Sequence, residues 1–249
     1  MQELETDEQI DAKVPKIFCV ILCTYERTGW ICPELMEFVS QIPFNQNYAT
    51  IVRKAHNFLP AAAARNFIAK QLLLMKPEPT WVLMLDNDMA PPLNLLDTIK
   101  NAPDDAMIVC PMFHLWTPEE RTTKLCWGMD NIEEKTYPNG RKGLKIEKDK
   151  YYDITKCGTG AIFIRPELFR RIPSPWFEYK YDDLGNLTAT EDIIFCDKVR
   201  AAGMRMVGYS GITVGHNHTV DLALLHSILH TIKEPETVED STEKQVAAD

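Results

Sequence analysis

Several features that define well-known protein classes are missing from this sequence. No apolar run approaches the ~18 residues of a membrane-spanning helix, so we expect no membrane span. The seven cysteines are odd in number and include no C-x-x-C pair, and Cys19, Cys23, Cys110 and Cys196 lie in apolar surroundings. This pattern favours reduced thiols in a core over a zinc cluster or disulfides. No G-x-x-x-x-G-K-[ST] phosphate loop occurs anywhere in the chain.

Positive charge is also scarce. The 27 lysines and arginines are outnumbered by 36 acidic residues, which gives a formal net charge of −9. This balance argues against general binding to nucleic acid or anionic membranes, but not against a nucleotide held by a metal and one or two basic groups. The first residues, Met1 to Asp11, are acidic and polar, unlike a secretory signal. We therefore expect a cytoplasmic protein.

The length of 249 residues, 45% of them hydrophobic, suits one large α/β domain. We expect an acidic flexible arm over residues 1–14, a single domain over 15–233 and an acidic disordered tail over 234–249. Short apolar runs alternate with helical patterns, which predicts a mostly parallel central sheet flanked by helices. The alternation stops over residues 117–153, where we expect an insertion with an exposed antiparallel hairpin near a site.

The individual elements follow from apolar periodicity and from proline and glycine positions. Predicted strands cover residues 16–23, 48–52, 81–85, 106–110, 161–165 and 204–209, and predicted helices cover 33–41, 60–74, 92–101, 166–172, 193–202 and 221–233.

The strand from Trp81 to Leu85 is the one around which the candidate chemistry is arranged. It ends directly in two carboxylates, Asp86 and Asp88, at the edge where open α/β sheets bind their ligands. Carboxylates this close repel each other unless a positive charge lies between them, and Mg²⁺ and Mn²⁺ prefer carboxylate oxygens. The pattern predicts a divalent cation site that also holds a phosphate ester. The structural alternative is a solvated Asp-Asn-Asp turn.

Acidic residues also open the helix that follows Thr190. Thr190 suits the N-cap position, and the helix dipole alone explains Glu191 and Asp192 in the first turn. The same position would hold a carboxylate rigidly at the mouth of a cleft. Arg65, in the first half of an alanine-rich helix, is either a solvated helix residue or a charge directed to the same region.

Histidines and aromatic residues leave two readings open. A loop histidine such as His216 could complete a metal site with an aspartate, or simply be polar surface, and His218 is its rival. His226 and His230 have the i, i+4 spacing of zinc ligands but lack the glutamate of H-E-x-x-H. The aromatic run over residues 176–179 is either a packed loop anchor or a platform that stacks on a sugar or base.

Taken in order, these pieces resemble the GT-A fold glycosyltransferases, in particular glycosyltransferase family 2. The resemblance spans roughly residues 16–218. It rests on the first strand ending at Thr24, on Ala64-Arg65-Asn66, Leu85-Asp86-Asn87-Asp88-Met89 (a D-x-D motif), Gly158-Thr159-Gly160, Thr190-Glu191-Asp192-Ile193-Ile194-Phe195-Cys196 and Gly215-His216.

The resemblance implies a Rossmann-like GT-A fold and a hexosyltransferase that uses a nucleoside-diphosphate sugar and Mn²⁺ or Mg²⁺. The implied metal ligands are Asp86, Asp88 and His216. The implied donor-binding residues are Thr24, Tyr25, Glu26, Arg65, Asp86, Asn87 and Gly160. Asp192 would be the general base on the acceptor hydroxyl, with Glu191 beside it, and inversion at the sugar carbon is carried by analogy with the family.

Two other functions compete with this one. A nucleotidyltransferase that makes nucleotide sugars would need a glycine-rich loop with a basic residue, whereas only Gly29 follows the first strand. A carbohydrate- or nucleotide-binding domain without catalysis would not need the full acidic set. The Q-x-x-R-W motif of processive synthases is absent, which favours transfer of a single sugar. The sequence leaves open the donor, the oligomeric state and the acceptor (glycan, lipid, protein or modified base), which residues 113–152 and 173–189 would select.

Overall fold

The computed structural model describes residues 16–22, 31–55, 60–117, 122–130, 134–136 and 142–217. The expected arm, the helix over 221–233 and the tail lie outside the described residues. The same holds for Thr24, Tyr25 and Glu26, and for His218, His226 and His230. Among the described residues, no helix is both long enough and apolar enough to cross a membrane.

The described chain contains four α-helices and seventeen strands. The helices are α1 (Pro33–Gln41), α2 (Ala61–Leu74), α3 (Leu168–Arg171) and α4 (Glu191–Ala201), with short 3-10 helices at Ile42–Phe44 and Leu95–Ile99. The strands are β1 (Lys16–Leu22), β2 (Ala49–Ala55), β3 (Trp81–Asp86), β4 (Met89–Ala90), β5 (Ala106–Met112), β6 (His114–Thr117), β7 (Thr122–Leu125), β8 (Trp127–Gly128), β9 (Glu134–Thr136), β10 (Lys142–Leu144), β11 (Tyr151–Asp153), β12 (Lys156–Cys157), β13 (Ala161–Ile164), β14 (Lys180–Tyr181), β15 (Leu187–Ala189), β16 (Arg205–Thr213) and β17 (Gly215–His216).

Seven strands form the central sheet, in the order β11-β16-β5-β13-β3-β1-β2. β1, β2, β3, β5 and β16 point the same way, whereas β13 and β11 run antiparallel to their neighbours. The predicted α/β class with a mostly parallel sheet is confirmed. The carboxyl ends of β3, β5 and β16 therefore meet at one edge, which is where β4 and β17 form a separate antiparallel pair.

The insertion differs from its prediction in extent. Two antiparallel hairpins, β6–β7 and β9–β10, occupy part of it. Its end, however, returns to the main sheet, because β11 pairs with β16 as the edge strand. The predicted helix over 92–101 is only a 3-10 turn at Leu95–Ile99. Pro91, Pro92 and Pro103 flank this short segment and leave little room for a longer helix.

Burial of the apolar runs explains why they are strands. From Trp81 to Leu85 every side chain of β3 is buried, since β3 lies between β1 and β13. Six cysteines lie in the described part, and all are buried with free thiols, including Cys19, Cys110 and Cys196. The expected role in core packing is confirmed for Cys19, Cys110 and Cys196, whereas Cys23 lies outside the described residues.

Removing a buried leucine from the central strand should therefore cost far more stability than removing an exposed one. Leu83 has no solvent exposure, and Leu83→Ala should lower the free energy of unfolding by about 2–5 kcal/mol. Leu93 is 53% exposed, and Leu93→Ala should change it by no more than about 0.5 kcal/mol. Urea unfolding followed by circular dichroism measures both, and equal losses would contradict the central position of β3.

Candidate active site

Three backbone hydrogen bonds to other segments hold the loop after β3 in place. Asp86 N–H donates to the carbonyl of Gly160 at 2.8 Å. The carbonyls of Asn87 and Asp88 accept hydrogen bonds from the backbone N–H groups of Cys32 and Asn217, each at 2.9 Å. Asn87 and Asp88 are only 3% and 4% exposed, so this segment is not a solvated turn.

Pairing of β17 with β4 brings His216 to Asp88. Nε2 of His216 lies 3.2 Å from Oδ2 of Asp88, and Nδ1 lies 3.1 Å from the carbonyl oxygen of His114. A carbonyl can only accept, so Nδ1 carries the proton in this contact. Nε2 then faces the carboxylate either as an imidazolium or as a lone pair, and the contact with Asp88 raises the pKa of His216.

This arrangement is the one in which histidine binds a metal. A metal-ligating histidine commonly donates its other ring N–H to a carbonyl or carboxylate, which directs the free lone pair to the ion. Asp88 and His216 therefore fit a divalent cation. Among the described residues, no group of three or more His, Cys, Asp or Glu side chains could hold an ion by itself. A cation at this pair would need further oxygen ligands, as Mg²⁺ commonly takes from substrate phosphates.

Arg65 connects the acidic loop to helix α4. Its guanidinium is 2% exposed, which excludes the reading as a solvated helix residue. One terminal nitrogen lies 2.7 Å from Oδ1 of Asp86 and the other 2.6 Å from Oε1 of Glu191. Burial raises the pKa of Asp86, and the charge of Arg65 opposes that rise. The structure thus directs one oxygen of Asp86 to Arg65 rather than towards His216.

The two acids at the start of α4 have different partners. Glu191 forms an ion pair with Arg65. Oδ1 of Asp192 instead accepts hydrogen bonds from the hydroxyl of Thr190 and from the N–H of Ile193. Thr190 occupies the N-cap position, but its side chain caps no backbone N–H. Within the described residues, no hydrogen bond reaches Oδ2 of Asp192, and the residue remains partly exposed.

The structure places Gly160 at the site, but it buries part of the aromatic run. Gly160 lies beside the loop, since a Cβ there would be 3.6 Å from Oδ2 of Asp86 and 3.1 Å from Sδ of Met89. In the aromatic run, Trp176 and Phe177 are buried and pack in a loop, whereas Tyr179 is only partly buried.

Two residues at the site were missed from the sequence. Asn217 holds the Asp88 carbonyl through its N–H and contacts Sγ of Cys32 through Nδ2 at 2.9 Å. Asn66 binds the backbone of the loop at 176–177. Only proximity to His216 and to Arg65 in the sequence could have indicated Asn217 and Asn66.

Comparison with known proteins finds similarity in structure only. No family profile matches the chain, and no curated protein matches it. A197 from STIV is similar with a TM-score of 0.53 and 16% identity, over 83% of this chain and 87% of A197. A structure of GalNAc-T7 with UDP, GalNAc and Mn²⁺ matches with a TM-score of 0.47 and 12% identity, over 86% of this chain and 44% of that chain. A glycosyltransferase involved in the glycosylation of the major capsid of PBCV-1 matches with a TM-score of 0.46 and 14% identity, over 86% of this chain and all of that chain (100%).

The likeness to A197 shows a shared fold. The other two TM-scores are below 0.5, so those matches do not indicate what this chain does.

Loss of the Arg65 charge should destabilise the protein because two carboxylates lose their partner. We expect Arg65→Leu to lower the free energy of unfolding by about 3–5 kcal/mol, the usual cost of breaking a buried ion pair. Arg170→Leu is the control, because its bidentate pair with Glu78 is solvent-exposed and should contribute about 0–1 kcal/mol. Urea unfolding at pH 7 measures both. A loss for Arg65→Leu no larger than for Arg170→Leu would contradict the central role of this ion pair.

Proposed function

We propose that this chain is a metal-dependent glycosyltransferase of the GT-A type. It would move a single sugar from a nucleoside-diphosphate sugar to an acceptor hydroxyl. The observation that carries the proposal is the Arg65 bridge. It joins the D-x-D loop, which ends in Asp88 beside His216, to the acids that open α4. A cation-binding pair and a candidate general base therefore lie on the two sides of one buried arginine.

Charge balance supports a cation in this site. Asp86, Glu191 and Asp192 lie around Arg65, which forms ion pairs with only the first two, and the fourth carboxylate, from Asp88, lies beside Asp86. Asp88 and His216 would hold Mn²⁺ or Mg²⁺, and the donor's diphosphate oxygens would complete its coordination. When bound, the cation would supply Lewis-acid stabilisation of charge on the leaving diphosphate. Asn87 and Gly160 would border the donor.

The reaction assigns different tasks to the two acids of α4. Asp192 would accept the proton of the acceptor hydroxyl as the acceptor oxygen forms its bond to the anomeric carbon of the sugar. The bond from that carbon to the diphosphate breaks, and its electron pair leaves with the nucleoside diphosphate. Glu191, held by Arg65, would position the helix start that carries Asp192. In this proposal, Arg65 positions two acids rather than contacting the base of the nucleotide.

Asp88→Asn should abolish metal-dependent binding of the donor while leaving the fold intact. The amide keeps the shape of the side chain but loses the charge that would hold the cation. In the wild type, a nucleoside diphosphate at 100 times its dissociation constant should add ~2.7 kcal/mol of stability when Mn²⁺ is present. Thermal shift over a panel of nucleotides, with and without Mn²⁺, measures this. Asp104→Asn, an exposed aspartate, is the control. An undiminished metal-dependent shift in Asp88→Asn would exclude Asp88 as a ligand.

Asp192→Asn should bind donor and metal normally but lose turnover by about 10²–10⁴-fold, the usual contribution of a general base. Release of nucleoside diphosphate from a panel of nucleotide sugars, with water as the acceptor, measures turnover. Asp197→Asn is the matched control, because Asp197 lies on the same helix and pairs only loosely with Arg200 at 3.8 Å. Near-normal release by Asp192→Asn would remove it as the base. Binding without any release by the wild type would favour the non-catalytic alternative.

A further inference from the structure

The loop before the β14–β15 hairpin is fixed to the two helices that carry the candidate site. The side chain of Asn66 makes three hydrogen bonds to the backbone of this loop. Nδ2 donates to the carbonyl of Phe177 at 2.6 Å, and Oδ1 accepts from the N–H groups of Trp176 and Phe177 at 2.9 and 3.1 Å. Asn66 is the neighbour of Arg65 on α2. The helix that pairs with Asp86 and Glu191 therefore also sets the position of this loop.

Contacts from helix α4 fix the same loop from the other side. The ammonium of Lys198 contacts both the carbonyl of Pro175 and the carboxylate of Glu178. The ring of Phe177 stacks on Phe195 of α4 with a centroid distance of 4.3 Å. With Trp176 and Phe177 buried, these two rings hold the loop and offer no surface to a ligand.

Two residues further on, Tyr179 is directed to the candidate site. Tyr179 directly precedes Lys180, which pairs across the hairpin with Ala189, so Tyr179 lies beside Thr190 at the start of α4. Burial, together with the charge of Glu191, raises the pKa of Tyr179 to about 12, so the phenol keeps its proton at neutral pH. Tyr179 is partly exposed beside the acids.

A second tyrosine extends the surface away from the acids. Tyr181 lies in β14 and Tyr179 precedes it by two residues, so a continuation of the extended chain would place both side chains on the same side. Tyr181 is 57% exposed and pairs across the hairpin with Leu187, which is 51% exposed. We call Tyr179, Tyr181 and Leu187 the aromatic face. β15 leads from it directly into Thr190 and α4.

We propose that the aromatic face binds the acceptor, and that the acceptor is a saccharide of at least two sugar rings. This inference rests on the proposed function, because the hairpin that carries the face leads directly into the acids of α4. Exposed tyrosine rings present a flat apolar surface with a polar tip, which suits the apolar C–H face and the hydroxyl rim of a sugar. Two such rings, spaced about 7 Å apart by two residues of extended chain, suit successive sugars.

The rest of the hairpin favours a saccharide over a lipid chain. Lys180, Asp182, Asp183, Asn186 and Thr188 surround the aromatic face and are all exposed. A membrane or an aliphatic chain would have to desolvate these charged and polar groups without compensation, whereas a saccharide offers them hydroxyl partners. Leu184 at the turn and Leu187 are the apolar exceptions, so an aliphatic ligand is included in the test.

The test is saturation-transfer NMR on the full chain with UDP and Mg²⁺, using cellobiose, lactose, maltose and octyl glucoside as probes. Wild type should transfer saturation to the ring protons of at least one disaccharide. Tyr181→Ala should weaken the affinity for that disaccharide by about tenfold, which corresponds to a loss of about 1.4 kcal/mol of stacking. Tyr181→Phe keeps the ring and should bind as wild type does. Leu74→Ala, 73% exposed and about 13 Å along α2 from Arg65, is the control and should change nothing.

Three results would overturn the inference: no disaccharide bound by wild type, equal affinity in Tyr181→Ala, or saturation confined to the octyl chain of octyl glucoside. The nucleotide and metal thermal shift, measured on the same samples, separates this failure from failure of the proposed function. A normal shift with no saccharide binding rejects only the aromatic face. A disaccharide bound through Tyr181, with no nucleotide shift in the wild type, supports saccharide recognition and rejects the glycosyltransferase.

Discussion

The ion pairs of Arg65 are the interaction on which the site depends. A buried guanidinium is stable only when its charge is compensated, and here Asp86 and Glu191 supply that compensation from a strand end and a helix start far apart in sequence. The arginine donates in two directions from a planar fork, so it fixes the direction of both carboxylates as well as their distance. A lysine on the same helix could neutralise charge, but it could not hold both acids in one geometry.

Helix α2 combines this electrostatic task with a steric one. Arg65 and Asn66 are adjacent, yet they reach different targets: the first joins two acids, and the second fixes the backbone of the loop at 176–177. Consecutive helical residues lie about 100° apart around the axis, so one turn can serve two neighbouring surfaces. The position of the loop before the hairpin and the position of the acids are consequently set by the same rigid element.

The sequence predicted the fold better than the site. Apolar runs such as residues 81–85 are short, uninterrupted and flanked by turn signals, and burial on both faces makes them strands whatever their neighbours are. Sheet order and direction depend on contacts between distant segments. For that reason the reversal of β13 and the return of β11 to the sheet edge were not predicted. Asp86, Asp88 and His216 were selected because their chemistry is unusual at strand ends, whereas Asn66 and Asn217 act through backbone contacts that no local pattern indicates.

The neighbouring acids Glu191 and Asp192 show what structure adds to such a prediction. In sequence they are equivalent: both lie in the first turn of a helix, and the helix dipole favours both. Successive positions on a helix face different directions, so Glu191 turns towards Arg65 and Asp192 towards the hydroxyl of Thr190. An acid committed to a buried guanidinium is held rigidly, while an acid bonded by a neutral hydroxyl keeps an oxygen for another partner. The proposed division into a positioning acid and a proton-accepting acid rests on this difference in partners rather than on the residue types.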